Sequence, residues 1–456
     1  MPTSTAIEYT FDLDQVLEEV RRALEQKDFE RAVAILKALR PADQAEIFAD
    51  LSEDEQRSLL THLPPEESAD ILEELDDEHA LEVARELPDE DLVSIMDEME
   101  PDEAADLLGD MRPERARRLL EELEDPDEVR PLLLHPDETA GGLMTSEFLA
   151  LRRRMTAAEA IEAIRQWQPE AETIYYLFVV DRYGRLVGVV NLRQLIVADP
   201  NALIQDIMDE DVIYVTADTD QEEVARLMAR YDLLALPVVD ENKILLGVIT
   251  FDDLVDVLEE EATEDLQRYG GAEPLERPYL DTPPLIITKK RIGWLLILFL
   301  TATLTGSVMK LFEDEIQAMV ALTLFVPLLI GTGGNAGSQT TATIIRELAT
   351  GNVEPRDAFR VWWHEARVAI LLGLGMAIPA FIRAITWVDN PMLALTVSVA
   401  IVVLVLWATG VGSLLPLAAA KLGIDPALVS GPLMSTMVDA TGLFIYFSIA
   451  KVLLGL

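Results

Sequence analysis

The last apolar segment of the chain contains the stretch Pro432-Leu-Met-Ser-Thr-Met-Val-Asp439-Ala-Thr-Gly442, and hydrophobic sequence continues from there to Leu456. A segment of this length and composition is typical of a helix that crosses a lipid bilayer. It nevertheless holds an acidic residue, Asp439, with no basic residue nearby in the sequence. A charge at bilayer depth costs roughly 3 kcal/mol on insertion scales. Two interpretations stay open: a protonated carboxyl group bonded to a neighbouring helix, or a site for an ion or a proton.

Four other apolar segments precede this one, so the sequence predicts five membrane-spanning helices. They are expected near residues 292–312, 316–345, 366–386, 392–420 and 426–454. Basic residues are concentrated on the flank that holds Lys289-Lys-Arg291 and Arg346. By the positive-inside rule the N-terminus is then cytosolic, and the odd number of spans places the C-terminus outside. The start of the chain lacks the basic and apolar pattern of a signal peptide. A multi-pass protein of the cell (inner or plasma) membrane is expected.

Charge is divided unevenly along the chain. Residues 286–456 contain 10 acidic and 11 basic residues, whereas residues 1–285 contain 72 acidic and 25 basic residues, a net charge of −47. A soluble region this negative repels nucleic acid and anionic lipid headgroups and attracts cations. No nucleic-acid partner is therefore expected. The chain has no cysteine, which excludes disulfides, thiolate metal sites and cysteine nucleophiles.

Residues 39–120 carry an internal repeat with a period of 12 residues. The repeating positions are Leu39, Leu51, Leu63, Leu75, Leu87, Met99 and Met111. A mostly apolar pair lies eight and nine positions after each of them, as Ile47-Phe48 does after Leu39. Between the repeating residue and the pair lies a polar or proline-containing segment such as Ser52-Glu-Asp-Glu. Such starts are typical of helix N-termini. The pattern predicts one short helix per repeat, stacked into a solenoid with its acidic edge in water.

A second duplication spans about residues 138–260. Phe178-Val-Val-Asp181 with Gly188-Val-Val matches Pro237-Val-Val-Asp240 with Gly247-Val-Ile. Each copy is predicted to form a strand, a helix, two β-branched strands joined by a turn, and a second helix. The pattern resembles a tandem pair of cystathionine-β-synthase (CBS) domains. A helical connector, predicted from Leu254 to about Tyr279, follows the second copy, with breaks at Gly270-Gly271 and Pro283-Pro284.

Polar residues in two of the spans form candidate ion-contacting faces. Gly431, Ser435 and Asp439 share one face of the last span. In the second span, a further polar face is expected from Gly331, Asn335, Ser338 and Gln339. Close packing of helices through small residues is the alternative interpretation for the glycines. It does not account for Asn335, Gln339 and Asp439 in otherwise apolar segments.

No enzymatic site is predicted. The glycine-rich segment Gly331 to Ser338 lacks the lysine of a nucleotide-binding P-loop. His364-Glu365 lacks the second histidine of a zinc-protease helix, and the four histidines are scattered. An intramembrane aspartyl protease needs two carboxylates, but only the last span has a central one.

Together these segments resemble the MgtE family of magnesium channels over nearly the whole chain, most specifically at Gly331-Thr-Gly-Gly-Asn-Ala-Gly337 and around Asp439. The resemblance implies a multidomain fold: an all-α superhelical N-terminal domain, α+β tandem CBS domains and an all-α five-helix transmembrane domain. The expected boundaries are 1–137 for the acidic helical repeats, 138–200 and 201–260 for the two CBS domains, 261–285 for a connector helix that plugs the pore, and 286–456 for the membrane domain.

The resemblance also implies a membrane-embedded homodimer whose pore lies between the subunits and is formed by the second and fifth spans. In that family the residue matching Asp439 holds a hydrated ion, and the one matching Asn335 helps to line the path. The expected pore residues are Gly331, Asn335, Gly431, Ser435 and Asp439. The sequence departs from the family at Ser338 and Gly431, where members often carry Asn.

In this family the acidic soluble part senses intracellular Mg²⁺. The carboxylates that match the sensing positions are Asp70, Asp102 and Asp106 in the repeats, Asp220, Glu222, Asp232, Asp253 and Asp256 in the CBS region, and Glu261, Glu264 and Asp265 on the connector. Tyr176 and Arg193 match positions used by ATP-binding relatives. Gln194 and Leu233, however, stand where those relatives carry an acidic and an aromatic residue, so ATP is not predicted as a ligand.

The predicted function is a Mg²⁺-selective channel for magnesium uptake, closed when cytosolic Mg²⁺ bridges the acidic domains. Two alternatives remain. One is an ion-coupled divalent-cation transporter that uses Asp439 as its carrier site. The other is a membrane-anchored sensor of Mg²⁺ or a nucleotide that conducts nothing.

Overall fold

The computed structural model describes residues 13–456 apart from 168–175, 276–278, 281 and 430. The chain divides into two units after Glu259, inside the helix Phe251–Tyr269. Each unit is considered separately below.

The first unit begins with short helices, and the seven helices between Pro41 and Glu122 correspond one to one to the 12-residue repeats, as the sequence predicted. Their bounds are α1 Leu13–Glu25, α2 Phe29–Leu36, α3 Pro41–Ala49, α4 Glu53–Leu60, α5 Pro65–Glu73, α6 Asp77–Glu86, α7 Asp89–Met96, α8 Pro101–Gly109, α9 Pro113–Glu122 and α10 Pro126–Val129. Proline occupies the first turn of α3, α5, α8 and α9, where its fixed φ favours helix initiation and no N–H is needed. Ser52 and Glu55 form a capping box at the start of α4.

The repeating apolar residues fill the interior of this helical array. Leu51, Leu63, Leu87, Met99 and Met111 are buried between successive helices. Each helix packs against the one two places further along, for example α3 against α5 and α4 against α6. This pattern produces two layers of helices and confirms the predicted superhelix.

The CBS region contains two three-stranded sheets with the predicted order of elements. The bounds are β1 Ala150–Arg152, α11 Ala157–Trp167, β2 Tyr176–Val180, β3 Leu186–Asn191, α12 Leu192–Val197, α13 Ile204–Ile207, β4 Val215–Thr216, α14 Gln221–Tyr231, β5 Ala235–Val239, β6 Leu245–Thr250 and α15 Phe251–Tyr269. In each sheet the first strand is parallel to the second, and the second is antiparallel to the third. The α+β duplication is thus confirmed.

The repeat helices and the second CBS copy share one hydrophobic core. Leu123 and Leu132 pack in the same cluster as Leu236, Ile249 and Leu254. This shared core brings the acidic helix α8 into the electrostatic range of residues near the start of α15.

Within its described residues, the second unit contains five helices long and apolar enough to span a membrane, as predicted. The bounds in this unit are α16 Pro284–Leu311, α17 Glu313–Ala318, α18 Val326–Ala349, α19 Ala358–Val388, α20 Pro391–Lys421 and α21 Gly431–Leu454, with a 3₁₀ stretch at Val320–Phe325. The span predicted near 316–345 corresponds to Val320–Ala349, where the 3₁₀ stretch leads into α18; it begins later than predicted because α17 precedes it. Pro327 lies in the first turn of α18, where its missing N–H removes no helical hydrogen bond.

The connector helix ends earlier than the sequence suggested. It stops at Tyr269 rather than about Tyr279, because Gly270 and Gly271 follow and Gly271 has a φ of 76°. Glycine adopts this left-handed conformation at little steric cost and commonly terminates helices.

Glycines allow α18, α20 and α21 to approach one another closely. A Cβ atom on Gly412 of α20 would lie 2.6 Å from the carbonyl oxygen of Gly337 on α18. A Cβ on Gly333 would lie 2.9 Å from Val438 Cγ1 on α21. The small-residue packing considered for these glycines therefore applies to the inward face of α18.

Replacing Gly412 by Ala is expected to destabilise the membrane unit. The new methyl group meets a backbone carbonyl rather than a flexible side chain, so α18 and α20 must separate, at a cost of about 1–3 kcal/mol. Thermal unfolding of the detergent-solubilised protein will show this as a lower melting temperature. Gly375→Ala on α19 is the matched control, because no neighbouring atom lies within 4 Å of that position. Equal melting temperatures for the two variants would contradict the packing account.

Candidate functional site

Asp439 lies two turns into α21, about 12 Å from the start of the helix. Its side chain is half-buried. Its Oδ1 atom is shielded from solvent and has no hydrogen-bond partner among the described residues. The other end of α21 is fixed by the ion pair between Lys451 and Glu315 and by the Tyr446 hydroxyl, which donates to the Leu322 carbonyl at 3.1 Å. A carboxylate oxygen left without a partner in an apolar region is costly, which favours a cationic ligand.

Helix α18 presents two different faces. Gly333, Gly334 and Gly337 face the neighbouring helices, whereas Asn335 and Gln339 are exposed. Gly331 is also exposed, and no atom lies within 4 Å of the position that a Cβ would occupy on it. Gly331, Asn335 and Gln339 thus form a polar stripe that the described residues of this chain leave uncovered.

Two other residues of the predicted polar faces, Ser338 and Ser435, lie on the packed side of their helices. Ser338 turns inward and its hydroxyl donates to the Gly431 carbonyl at 3.2 Å, so it does not join the exposed stripe as the sequence suggested. Ser435 is half-buried against Gly334, whose added Cβ would lie 2.7 Å from the Ser435 hydroxyl. Helices α18 and α21 pack against each other, but no hydrogen bond joins Asn335 to Asp439 in the described part of the chain.

The C-terminal end of α15 contacts the middle of α18 and the start of α21. The Tyr269 hydroxyl donates to the Ser338 carbonyl at 2.8 Å. The Tyr269 ring lies against Gly431, where a Cβ would be 3.2 Å from the ring. Arg268 forms ion pairs with Glu264 on its own helix and with Asp425 in the segment before α21. These contacts were not predicted. The only sequence signal was an aromatic residue directly before the Gly270-Gly271 break.

Of the carboxylates predicted to sense Mg²⁺, Asp102 and Asp106 lie on α8, and Asp253 lies at the start of α15. Asp102 is only 7% exposed, and its Oδ1 atom has no hydrogen-bond partner among the described residues. Asp253 accepts hydrogen bonds from the Thr250 amide at 3.0 Å and the Thr250 hydroxyl at 2.9 Å. The structure therefore brings together three of the predicted sensing carboxylates.

Burial and mutual repulsion hold these groups well above their ordinary pKa values. Burial, followed by the negative charge of Asp102, raises the pKa of Glu103 to about 9. Burial raises the pKa of Asp106 to about 7, with a further contribution from Asp137. Burial and the neighbouring Asp252 raise the pKa of Asp253 to about 6. Asp102, Glu103, Asp106 and Asp253 therefore form an acidic cluster without enough nearby positive charge to balance it.

Two further predicted residues, Asp70 and Asp256, flank a carboxylate that the sequence did not single out. Burial raises the pKa of Glu74, and the negative charges of Asp256 and Asp70 raise it further. Glu103 was likewise missed. Its position directly after Asp102 was the available signal.

The remaining predicted sensing residues have local structural contacts. Asp220 caps the N-terminus of α14, and Asp232 ends that helix with a φ of 52°. Glu222 pairs with Arg226 at 2.9 Å. Glu261 and Asp265 lie on α15 with Glu264. Within the described residues, no three His, Asp or Glu side chains are arranged to bind one metal ion.

The residues considered for nucleotide binding lie on the first CBS copy. Tyr176 begins β2 and pairs with Asn191 at the end of β3. Arg193 is exposed on α12, and Gln194 caps that helix by donating and accepting hydrogen bonds with Asn191. A cavity of about 60 Å³ in the CBS region is lined by other residues, including Glu210 and Lys243.

Models of known families match most of the chain. Residues 39–138 match the MgtE intracellular N domain, residues 140–201 and 204–260 match CBS domains, and residues 326–449 match the MgtE divalent cation transporter domain. The magnesium transporter MgtE of Thermus thermophilus is 47% identical over 327 residues, which is 72% of each chain. That of Bacillus subtilis is 35% identical over 329 residues, again 72% of each chain.

Two solved structures resemble the first part of the chain. The soluble part of a magnesium transporter is 33% identical, with a TM-score of 0.50, and covers 55% of this chain and 99% of its own. The cytosolic domain of the Mg²⁺ channel MgtE in complex with ATP is 41% identical, with a TM-score of 0.50, and covers 53% of this chain and 99% of its own.

Five membrane-length helices together with these matches define a multi-pass membrane transport protein that has a cytosolic soluble part. The matches to the Thermus thermophilus and Bacillus subtilis relatives, each over 72% of the chain, assign it more narrowly. The chain belongs to the MgtE family of divalent cation transporters.

The raised pKa values predict how stability depends on pH when divalent ions are absent. Between the unfolded pKa of roughly 4 and the folded values of about 7 for Asp106 and about 9 for Glu103, the folded state binds more protons. Stability is therefore greatest below that window and is lost as the pH rises through it. The melting temperature of the full-length protein in a chelator should fall between about pH 6 and pH 8.5.

Added Mg²⁺ should raise the melting temperature more at the higher pH, because ionised carboxylates bind cations and protonated ones do not. A variant with Asp102→Asn and Glu103→Gln is the comparison, and its pH dependence should be flatter. If the native chain and the variant respond identically to pH and Mg²⁺, this cluster does not control the effect.

Proposed function

We propose that this chain is one subunit of a homodimeric channel for Mg²⁺ uptake that closes when cytosolic Mg²⁺ binds its acidic soluble part. The observation that carries the proposal is Asp439, a half-buried carboxylate with an unpartnered oxygen in a membrane-spanning helix. The uncovered stripe of Gly331, Asn335 and Gln339 on the adjacent α18 supports a water-filled path along the same pair of helices.

A second subunit would complete the ion site. Two Asp439 carboxylates facing each other across a dimer axis would balance the +2 charge of one Mg²⁺ ion. Mg²⁺ gives up its water ligands reluctantly and commonly keeps several of them. The carboxylates and the Asn335 amide can therefore contact the ion through its water shell. Binding of this indirect kind is weak enough to let the ion leave, as conduction requires.

The contacts of α15 suggest how the pore closes. Tyr269 contacts the middle of α18, and Arg268 pairs with the segment that precedes α21. Helices α18 and α21 are the two proposed to line the pore. Asp253, in the first turn of α15, belongs to the acidic cluster around Asp102. Because α15 is continuous, an ion that neutralises the cluster at one end can fix the position of Tyr269 at the other.

The named relatives support the substrate. The Thermus thermophilus and Bacillus subtilis relatives are magnesium transporters, and a solved relative of the soluble part is described as belonging to a Mg²⁺ channel. That structure contains ATP. ATP is not proposed for this chain. Gln194, which completes the capping box of α12, stands where ATP-binding relatives carry an acidic residue, and Leu233 stands where they carry an aromatic one.

Replacing Asp439 by Asn should abolish Mg²⁺ uptake, because the site loses both negative charges of the dimer while its size is nearly unchanged. Growth at low Mg²⁺ of a host that lacks its own uptake system measures this. Asp389→Asn is the matched control, since Asp389 ends α19 with a φ of 49° and Asn tolerates this conformation. Undiminished uptake by Asp439→Asn at equal expression would contradict the pore proposal.

Planar-bilayer recordings separate the channel from a coupled transporter. Current carried by Mg²⁺ as the only permeant cation supports a channel. A strict requirement for a countertransported Na⁺ or H⁺ would favour the transporter, and the absence of any Mg²⁺ flux would favour a sensor that does not conduct.

Replacing Tyr269 by Phe should weaken closure. The variant loses the hydrogen bond to the Ser338 carbonyl, worth about 1 kcal/mol, so the ratio of open to closed channels at saturating cytosolic Mg²⁺ should rise roughly fivefold. Open probability in patches measures this directly. Tyr231→Phe is the control, because its exposed ring stacks near Arg230 in the CBS region. An unchanged open probability for Tyr269→Phe would show that this bond does not stabilise the closed state.

A further inference from the structure

Helix α19 is longer than a membrane span needs. Its 31 residues, Ala358–Val388, extend about 46 Å, whereas the hydrocarbon core of a bilayer is about 30 Å thick. The apolar part of the helix follows Arg367. The first turns of α19 therefore lie at the level of the lipid headgroups.

The basic residues of these first turns form a stripe on one side of the helix. Arg360, His364 and Arg367 are all exposed and are spaced at i, i+4 and i+7. The Arg367 guanidinium lies 3.3 Å from His364 Nδ1. We call these three residues the α19 basic stripe.

Nearby carboxylates do not neutralise the stripe. Glu365 turns toward α18, where it accepts a hydrogen bond from the Thr340 hydroxyl at 3.3 Å. Glu354 pairs with Arg356 at 2.8 Å, and Asp357 accepts a hydrogen bond from the Glu354 amide at 3.2 Å. In the described part of the chain, neither Arg360 nor Arg367 has a carboxylate within ion-pairing distance. Among the described residues, both guanidinium groups therefore lack a carboxylate counterion, in a chain whose net charge is −46.

Aromatic rings lie along the same turns. Phe359 is 76% exposed and Trp363 is 54% exposed, and the two are separated by one helical turn. Trp362, in contrast, packs toward α20, where its indole nitrogen is 3.5 Å from the Cβ position of Gly410. Trp362 therefore anchors the base of α19, and Phe359 and Trp363 remain available to lipid. Aromatic residues favour this interfacial level of a membrane.

We propose that the α19 basic stripe, with Phe359 and Trp363 beside it, binds the phosphate headgroup of an anionic phospholipid in the cytoplasmic leaflet. Arginine matches phosphate oxygens with paired N–H groups, and the rings contact the glycerol and upper acyl region. A soluble phosphate would not use the exposed rings, which is why a lipid is the better occupant. The proposal uses the proposed orientation of the membrane unit and does not depend on conduction.

Lipid binding to the purified full-length protein tests the proposal. Native mass spectrometry of the delipidated protein in detergent compares dioleoyl phosphatidylglycerol with dioleoyl phosphatidylcholine. The native chain should prefer phosphatidylglycerol. The double variant Arg360→Gln/Arg367→Gln should lose about 30-fold in affinity for phosphatidylglycerol, since each surface cation contributes roughly fivefold.

The double variant Arg346→Gln/Lys421→Gln is the matched control. It removes two exposed cations from the ends of α18 and α20, on the same predicted side of the membrane. It should retain phosphatidylglycerol affinity to within about threefold. An equal loss in both double variants would mean that general charge attracts the lipid, and an undiminished affinity in Arg360→Gln/Arg367→Gln would exclude the stripe. Either result overturns the proposal.

Two further measurements remove the remaining ambiguities. Glycerol 3-phosphate should not displace phosphatidylglycerol; if it does so at equal concentration, the ligand is a soluble phosphate and the lipid proposal is wrong. Should the glutamine variant fold poorly, a photoreactive phosphatidylglycerol applied to the native protein replaces it. Cross-links are expected within residues 359–367, and cross-links confined to other segments overturn the proposal.

Discussion

The structure depends on one constraint: it buries carboxylate groups without placing positive charges beside them. Asp102 in the soluble part and Asp439 in the last membrane helix each have a shielded carboxylate oxygen with no hydrogen-bond partner among the described residues. Carboxylates in such surroundings must bind a proton or a cation, or destabilise the fold. Each unit of the chain therefore contains a carboxylate that requires a proton or a cation.

In the membrane unit, close packing through small residues determines which polar side chains stay uncovered. The inward glycines of α18 allow α20 and α21 to approach so closely that a methyl group at Gly412 would meet a backbone oxygen. The same close approach leaves Asn335 and Gln339 on the outward face. Close packing and the candidate ion path are thus two sides of one helix, and a substitution on one side is expected to disturb the other.

The elements of the fold were largely predictable, because their signals are local. The 12-residue repeat, the duplicated strand pattern and the five apolar segments each follow from periodicity or composition within a short window, and the structure confirms all three. The errors were at helix ends. The start of α18 and the end of α15 depend on proline and glycine conformations, which the hydrophobic pattern does not report.

The sequence by itself determined the separation into an acidic soluble part and a membrane part, and it singled out Asp439 as an acidic residue at bilayer depth, which requires a proton or a cation. Only the tertiary structure decided which of the many acidic residues lie together, since Asp102 and Asp253 meet through a shared core. It also decided that Ser338 turns inward and that α15 is attached to the membrane helices. The reason is distance along the chain: Arg268 and Asp425 are 157 positions apart, and no local pattern specifies such a contact.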